Sequence, residues 1–220
     1  MAVELEFLKT TPYFATLNTA ELSSVGKLFF EKDVGRGEIL IFEGDPAQVL
    51  YFVVSGVTKV FKTSADGREQ ILQLIRPGES FNDVPVFSGE TSLTSVEALG
   101  PVVLYGLNKN DLEVILRDYS QVALNLIGIL SQKVQHLLSL VEDLSFRHVT
   151  ARVAKIILEY ASDGVGQNRH LTQQEMAAMA GTAREVVGRA LKSLEGEGII
   201  RLEHHRIVIT NKEALRVMIG

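Results

Sequence analysis

In the stretch GTAREVVGRALKSLE, residues 181–195, Arg184, Glu185 and Arg189 share one face of a helical pattern, with Lys192 beyond them. Arginine can bond both acceptors on a guanine edge, and glutamate can accept from the amino group of cytosine. Gly188 lies on the same face, although glycine inside a helix costs about 1 kcal/mol against alanine. A side chain there would hold the helix away from whatever the arginines touch. The chemistry implied is the reading of base edges in a duplex major groove by Arg184, Glu185 and Arg189. A local role is also open to Glu185, which forms an i,i+4 pair with Arg189 in the favoured order. The two roles are compatible, since such a pair can pre-order both groups for the groove.

The elements needed to position these residues are written beside them. Two T-x-x-E sequences, TQQE at 172–175 and TARE at 182–185, each read as a capping box that starts a helix. Gly181 falls where the first helix must stop and the chain turn. Helix, tight turn, second helix is a helix-turn-helix. Met176, Ala177 and Ala180 supply the buried stripe of the first helix, and Val187, Ala190, Leu191 and Leu194 that of the second. The hairpin pattern RLEHHRIVI then reads as a wing.

Charge points the same way. The chain has 220 residues and a net charge of −5, but residues 1–145 carry −8 and residues 146–220 carry +3. A basic C-terminal module on an acidic body fits a duplex partner. The absence of cysteine excludes disulfides, thiolate-held zinc and cysteine-ligated iron–sulfur clusters. Residues 1–135 contain no histidine, and no nucleophile–base pair is suggested, so a metal-dependent jelly-roll enzyme is disfavoured and no catalytic or metal-binding residue is assigned. The N-terminus MAVELEFLKTTPYF has no basic start or apolar run, and no stretch is long and apolar enough for a membrane span. A cytoplasmic location is expected.

Residues 1–30 read as short helices, with Thr19 an N-cap. Glycines then recur at 44, 56, 67, 78, 89 and 100, between short β-prone runs VLYFVVS, VTKVFKT, EQILQLI, SLTSVEA and VVLYGL. Even spacing with turn residues implies an antiparallel sandwich or barrel. A parallel β-helix also has an even period, but only glycine repeats here. From Asn110 to about Leu144 the pattern is helical. Ala123, Ile127, Leu130, Val134, Leu137, Val141 and Leu144 alternate at spacings of four and three, the pattern of a coiled-coil seam. A second row, Val122, Leu126, Ile129 and Leu140, lies beside it. One row can pack on the β-domain while the other meets an identical helix. A single helix buried on both sides of a monomer is the alternative. Ser145 is read as the cap of a further helix, with a hinge at Asp143 to Phe146. The expected fold is α+β, with a sensor domain over 1–119, a dimerisation helix and hinge over 120–145, and a winged helix-turn-helix over 146–220.

The segment LTQQEMAAMAGTAREVVGRALKSLEGEGII resembles the helix-turn-helix of the cyclic-AMP receptor protein and fumarate–nitrate regulator (Crp/Fnr) family of bacterial transcription factors. GEILIFEGDPAQVLYFVVSGVTKVF resembles the start of that family's cyclic-nucleotide-binding β-roll, and PGES its phosphate-binding turn. The likeness covers nearly the whole chain and implies a jelly-roll-like sensor, a homodimer, and RNA polymerase as a partner. It implies phosphate contacts from Thr172, Gln174, Thr182 and Lys192, and a half-site similar to TGTGA with its inverted copy. An effector pocket would involve Gly78, Glu79 and Ser80, with Ser92, Leu93, Leu137 and Leu138. The last four stand where the family's best-known member has an Arg-Ser pair for the cyclic phosphate and a Thr-Ser pair for adenine. A buried phosphate without its arginine is costly, so cyclic AMP is disfavoured. His136 on the long helix leaves haem open. Another small molecule, or no effector at all, is equally compatible.

Overall fold

The computed structural model describes residues 4–162, 171–203 and 206–219. Chain contacts divide it into two units, Met1–Lys62 with Leu72–His136 and Thr63–Ile71 with Leu137–Gly220.

The first unit opens with helices α1 (Leu5–Thr10) and α2 (Thr19–Gly26). Helix α2 is capped by Asn18, not Thr19: Asn18 Oδ1 accepts from Ala20 N and Glu21 N, and Glu21 returns a bond to Asn18 N at 2.8 Å. Eight strands and one short helix follow: β1 (Phe29–Val34), β2 (Ile39–Ile41), β3 (Val49–Ser55), β4 (Thr58–Thr63), β5 (Glu69–Ile75), β6 (Ser80–Phe81), α3 (Asp83–Ser88), β7 (Ser95–Ala98) and β8 (Val102–Asn108). They make two four-stranded sheets, in the orders β1-β8-β3-β6 and β2-β7-β4-β5. The pairings β1–β8, β3–β8, β3–β6, β2–β7 and β4–β7 are antiparallel. This is the expected β-roll.

The glycine period marks the turns. At Gly56, φ is 85° and an added Cβ would lie 2.4 Å from Pro101 O, so only glycine fits. The run VLYFVVS is almost wholly apolar because β3 is covered on both faces. Leu50 and Phe52 join the helix-side core with Leu8, Phe14, Leu22 and Val122. Val53 joins the core between the sheets with Val34, Ile75, Phe81, Val96 and Leu104. Of the SLTSVEA run, only Ser95–Ala98 is strand, since Ser92 is bonded to the turn at Asp45.

The helical stretch after the roll is broken once, at Tyr119, into α4 (Lys109–Asp118) and α5 (Ser120–Phe146). Val122 and Leu126 are buried in the roll's core. Helix α5 runs unbroken through Asp143 and Ser145, so neither the expected hinge nor the expected cap is there. The break falls at residues 147 and 148, before α6 (Val149–Ser162).

In the second unit α6 packs with α7 (Gln173–Ala180), α8 (Arg184–Gly196) and α9 (Lys212–Ile219), with the hairpin β9 (Ile200–Glu203) and β10 (Arg206–Ile209). Val153, Met176, Val187, Leu191, Leu194 and Leu215 form its core. No helix among the described residues is long and apolar enough to cross a membrane.

Candidate nucleic-acid interface

The first capping box forms. Thr172 Oγ1 accepts from Glu175 N at 3.1 Å, and Glu175 Oε2 accepts from Thr172 N at 2.8 Å. The Thr172 hydroxyl also donates to Glu175 Oε2 at 3.0 Å, so both of its donors are turned to Glu175. Gly181 ends α7 in the left-handed conformation, φ 60°, and its amide donates to Ala177 O. An added Cβ there would lie 2.7 Å from Leu144 Cδ2.

The second capping box does not form. The N-cap of α8 is Ala183, with no side-chain cap, and Thr182 is one residue too early. The Thr182 amide instead donates to Ala177 O at 3.0 Å, completing the turn. Glu185 is therefore not spent on a cap. Nor is the Glu185–Arg189 pair made: among the described residues Arg184, Glu185, Arg189 and Lys192 are exposed and have no ion-pair or hydrogen-bond partner. At about 100° per residue, Arg184, Gly188, Lys192, Glu185 and Arg189 fall in that order within an arc of about 140°. Val187, Ala190, Leu191 and Leu194 occupy the opposite side and are buried.

At Gly188 an added Cβ would meet Gln173 Oε1 at 3.6 Å, an ordinary contact. The domain itself has room for alanine there, so packing within the chain does not require the glycine. Gln174 is exposed beside the same face. It lines a cleft of about 620 Å³ with Gln173, Arg184, Leu202, Glu203 and Arg206, between the helix pair and the β9–β10 hairpin. The hairpin's turn, His204 and His205, lies outside the described residues. Arg201 pairs with Glu203 at 2.5 Å. Leu202 N donates to Glu195 Oε1 at 2.8 Å, tying the wing to α8.

Arg152 was not singled out by sequence. Its guanidinium donates to Ala180 O at 2.8 Å and Arg147 O at 2.7 Å, satisfying carbonyls at the ends of α7 and α5. An interior arginine on an amphipathic helix gives no sequence signal of that task.

The long-helix seam is open to solvent. Ile127, Val134, Leu137 and Val141 are 60%, 56%, 47% and 60% exposed, and Leu144 is exposed too. Ala123 is half-buried, and Leu130 leans on the roll's core. A single helix buried on both sides is not what the chain has.

The effector positions split. Gly78, Glu79 and Ser80 line a cavity of about 310 Å³ with Pro12, Tyr13, Gln73, Ile129, Gln132, Lys133 and His136. Ser92, Leu93, Leu137 and Leu138 do not line it. Ser92 is buried and its hydroxyl donates to Asn82 Oδ1 at 3.0 Å, a turn-bracing role. Leu93 and Leu138 are exposed. Nε2 of His136 lies 3.0 Å from Leu72 O, so that nitrogen is engaged by the backbone. Lys133 Nζ pairs with Asp83 Oδ2 and donates to Ser80 O at 3.0 Å. Tyr13 Oη donates to the same carboxylate oxygen at 3.1 Å. Burial, and then the charge of Asp83, pushes the Tyr13 hydroxyl well above its ordinary range.

Comparison with known proteins gives both halves a family. Residues 31–119 match the cyclic nucleotide-binding domain, and residues 151–218 the Crp-like helix-turn-helix domain. The chain is 33% identical over 196 residues to the cyclic AMP receptor protein of Thermus thermophilus, covering 89% of this chain and 90% of that one. It is 28% identical over 217 residues to the CRP-like cAMP-activated global transcriptional regulator of Mycobacterium tuberculosis, covering 96% and 97%. Two solved structures share the fold. FixK2 from Bradyrhizobium japonicum has a TM-score of 0.75 at 24% identity, covering 87% of this chain and 98% of that one. A Crp/Fnr-family regulator from Eubacterium rectale has 0.78 at 22%, covering 96% and 99%. Among the described residues the one lysine or arginine lining the cavity is Lys133, which pairs with Asp83. With both modules matched in order and one relative a third identical along nearly the whole chain, this protein belongs to the Crp/Fnr family of transcription regulators and carries that family's DNA-binding helix-turn-helix.

Proposed function

We propose that two copies of this chain, joined along α5, bind a palindromic duplex similar to TGTGA-N6-TCACA and regulate transcription from it. In each half-site α8 enters the major groove, where Arg184 and Arg189 each select a guanine and Glu185 selects a cytosine on the opposite strand. Gln174, Thr182 and Lys192 meet phosphates, as does Thr172 where its hydroxyl turns from Glu175. The observation that carries this reading is the arc of exposed, unpartnered Arg184, Glu185, Arg189 and Lys192 opposite a fully buried stripe. Charged groups held on a rigid helix with no partner in their own chain are free to take one on DNA.

Dimerisation is supported by the exposed apolar strip along α5, which a soluble helix does not leave uncovered without reason. Two-fold symmetry then sets paired recognition helices about 34 Å apart, one helical turn of DNA. RNA polymerase is the expected protein partner. An effector, where one acts, is a molecule other than cyclic AMP.

Selection of bound sequences from random duplexes tests the proposal. The expected product is a palindrome with G and C at the positions read by Arg184, Arg189 and Glu185. Recovery of no palindrome, or of one whose consensus survives Arg184→Ala and Arg189→Ala together, refutes it.

A further inference from the structure

Asp143 stands in the last turn of α5 and is only 7% exposed. A carboxylate there faces the negative end of its own helix, so cations must meet it. Two do. Lys155, from α6, pairs with Asp143 Oδ2 and donates to Ser139 Oγ at 3.1 Å. Arg147 Nε lies 3.2 Å from Oδ1, an ion pair without hydrogen-bond alignment. Lys155 is the better-placed partner, and it comes from across the break between the two helices.

Arg152 and Lys155 are three residues apart on α6 and share a face. Besides the carbonyls of Arg147 and Ala180, the Arg152 guanidinium reaches Asp143 O at 3.4 Å. One face of α6 thus holds Ser139 and Asp143 on α5, and the end of α7 as well. All of these residues lie in the second unit. A pivot at residues 147 and 148 would part Lys155 from Asp143 and leave a poorly solvated carboxylate at a helix C-terminus. It would also strip Arg152 from the carbonyls it serves. Both losses oppose the motion.

We infer that the α5–α6 corner is a charge-clasped elbow rather than a hinge: Lys155 and Arg152 fix α6, and the helices packed on it, to the last two turns of α5. Rotation of those helices then starts before Ser139, not at the break. The consequence for DNA rests on the function proposed above. In a dimer joined along α5, the elbow sets the spacing of the two recognition helices.

The chain has no cysteine, so spin labels can be attached to the full-length protein through Ser145→Cys and Val217→Cys without removing others. Both positions are exposed, one in the last turn of α5 and the other on α9. Labelled chains are diluted with unlabelled ones, so that only distances within one chain are read. Pulsed electron resonance should give one narrow distribution, which Lys155→Met broadens. Asp143→Asn should act in the same direction. The two changes together should be no worse than the worse single one, since they remove one interaction. Competition between the N6 palindrome and the same half-sites spaced by N8 gives the second readout. Wild type should prefer N6, and Lys155→Met should shrink that preference about tenfold while the base choice within each half-site stays the same. If Lys155→Met does not fold, the double variant, in which both charges are gone, is measured in its place. The inference is overturned if the wild-type distribution is already broad, if the folded variants keep it narrow, or if the N6 preference survives unchanged. It is also overturned if the double variant fails to fold, since the pair would then serve the fold and not its angle. A wild type that binds no palindrome defeats the function proposed above and leaves the distance measurement to decide the elbow.

Discussion

Placing glutamate at both Val134 and Val141 should split the dimer while leaving each chain folded. Both are seam positions, and both are more than half exposed in the single chain. Leu130 is a poorer choice because it leans on the roll's core, where a charge would unfold the unit as well as part the subunits. Each valine stands to bury roughly half a side chain on association, about 1 kcal/mol. Two positions in two chains therefore lose about 4 kcal/mol. Like charges facing across the two-fold add to this: at about 6 Å and an effective dielectric of 20, one pair repels by about 3 kcal/mol before salt screening. A total of about 4–8 kcal/mol weakens association by roughly three to six powers of ten. A nanomolar dimer would then have a dissociation constant between about micromolar and millimolar, and would be chiefly monomeric at about 0.1 micromolar. Sedimentation equilibrium gives the mass, and circular dichroism confirms that the variant is folded. A folded double variant that remains dimeric, or a wild type that is already a folded monomer at micromolar concentration, refutes the seam.

Gly188→Ala should raise thermal stability, by up to about 1 kcal/mol, because alanine favours helix and the domain has room for it. The same change should lower DNA affinity, measured by fluorescence anisotropy; unchanged affinity would mean that α8 does not approach DNA on that face. Arg189→Ala should cost about 1–3 kcal/mol on the preferred site and relax the choice at one base pair only, read by competition with single-base variants. Lys192→Ala should weaken all sequences alike and reduce the slope of log affinity against log salt by roughly one. Because the Tyr13 hydroxyl is raised in the folded chain, the folded state holds a proton that the unfolded state gives up above its ordinary value of about 10. Stability should therefore fall as pH rises past that value, and Tyr13→Phe should flatten that alkaline limb in denaturant titrations.

The strands were legible where their chemistry is local. EQILQLI is β5 from end to end, because a β-prone run bounded by turn residues needs no outside help. Strand β2 and the two-residue β6 were not legible, since two or three residues carry no period. Helix α8 was legible for the same reason as β5: its buried stripe and its charged arc both repeat every three or four residues. Its start was misread. The TARE sequence satisfies the capping-box pattern, but the tight turn at Gly181 uses the Thr182 amide, and the helix begins at Arg184. The frame moved by one residue and freed Glu185 for another partner. Ser145 failed in the opposite way: a residue suited to capping sits inside α5, which continues past it to Phe146.

The effector question shows where sequence reading stops and why. The positions chosen by likeness to the family, Ser92 and Leu93, lack the expected arginine, and that much follows from the residues alone. What stands in its place could not be found in the same way. Lys133 and Asp83 lie 50 residues apart on different elements, and nothing in the local pattern of either points to the other. Asp83 carries no mark of it in the sequence, being one of the 19 acidic residues among residues 1–145. Only the folded chain brings Tyr13 and Ser80 over it and turns it inward toward α5. A missing cation alone would suggest a sensor with a different ligand. The folded chain adds a lysine–aspartate pair beside the cavity, a feature that the local pattern of neither residue could announce.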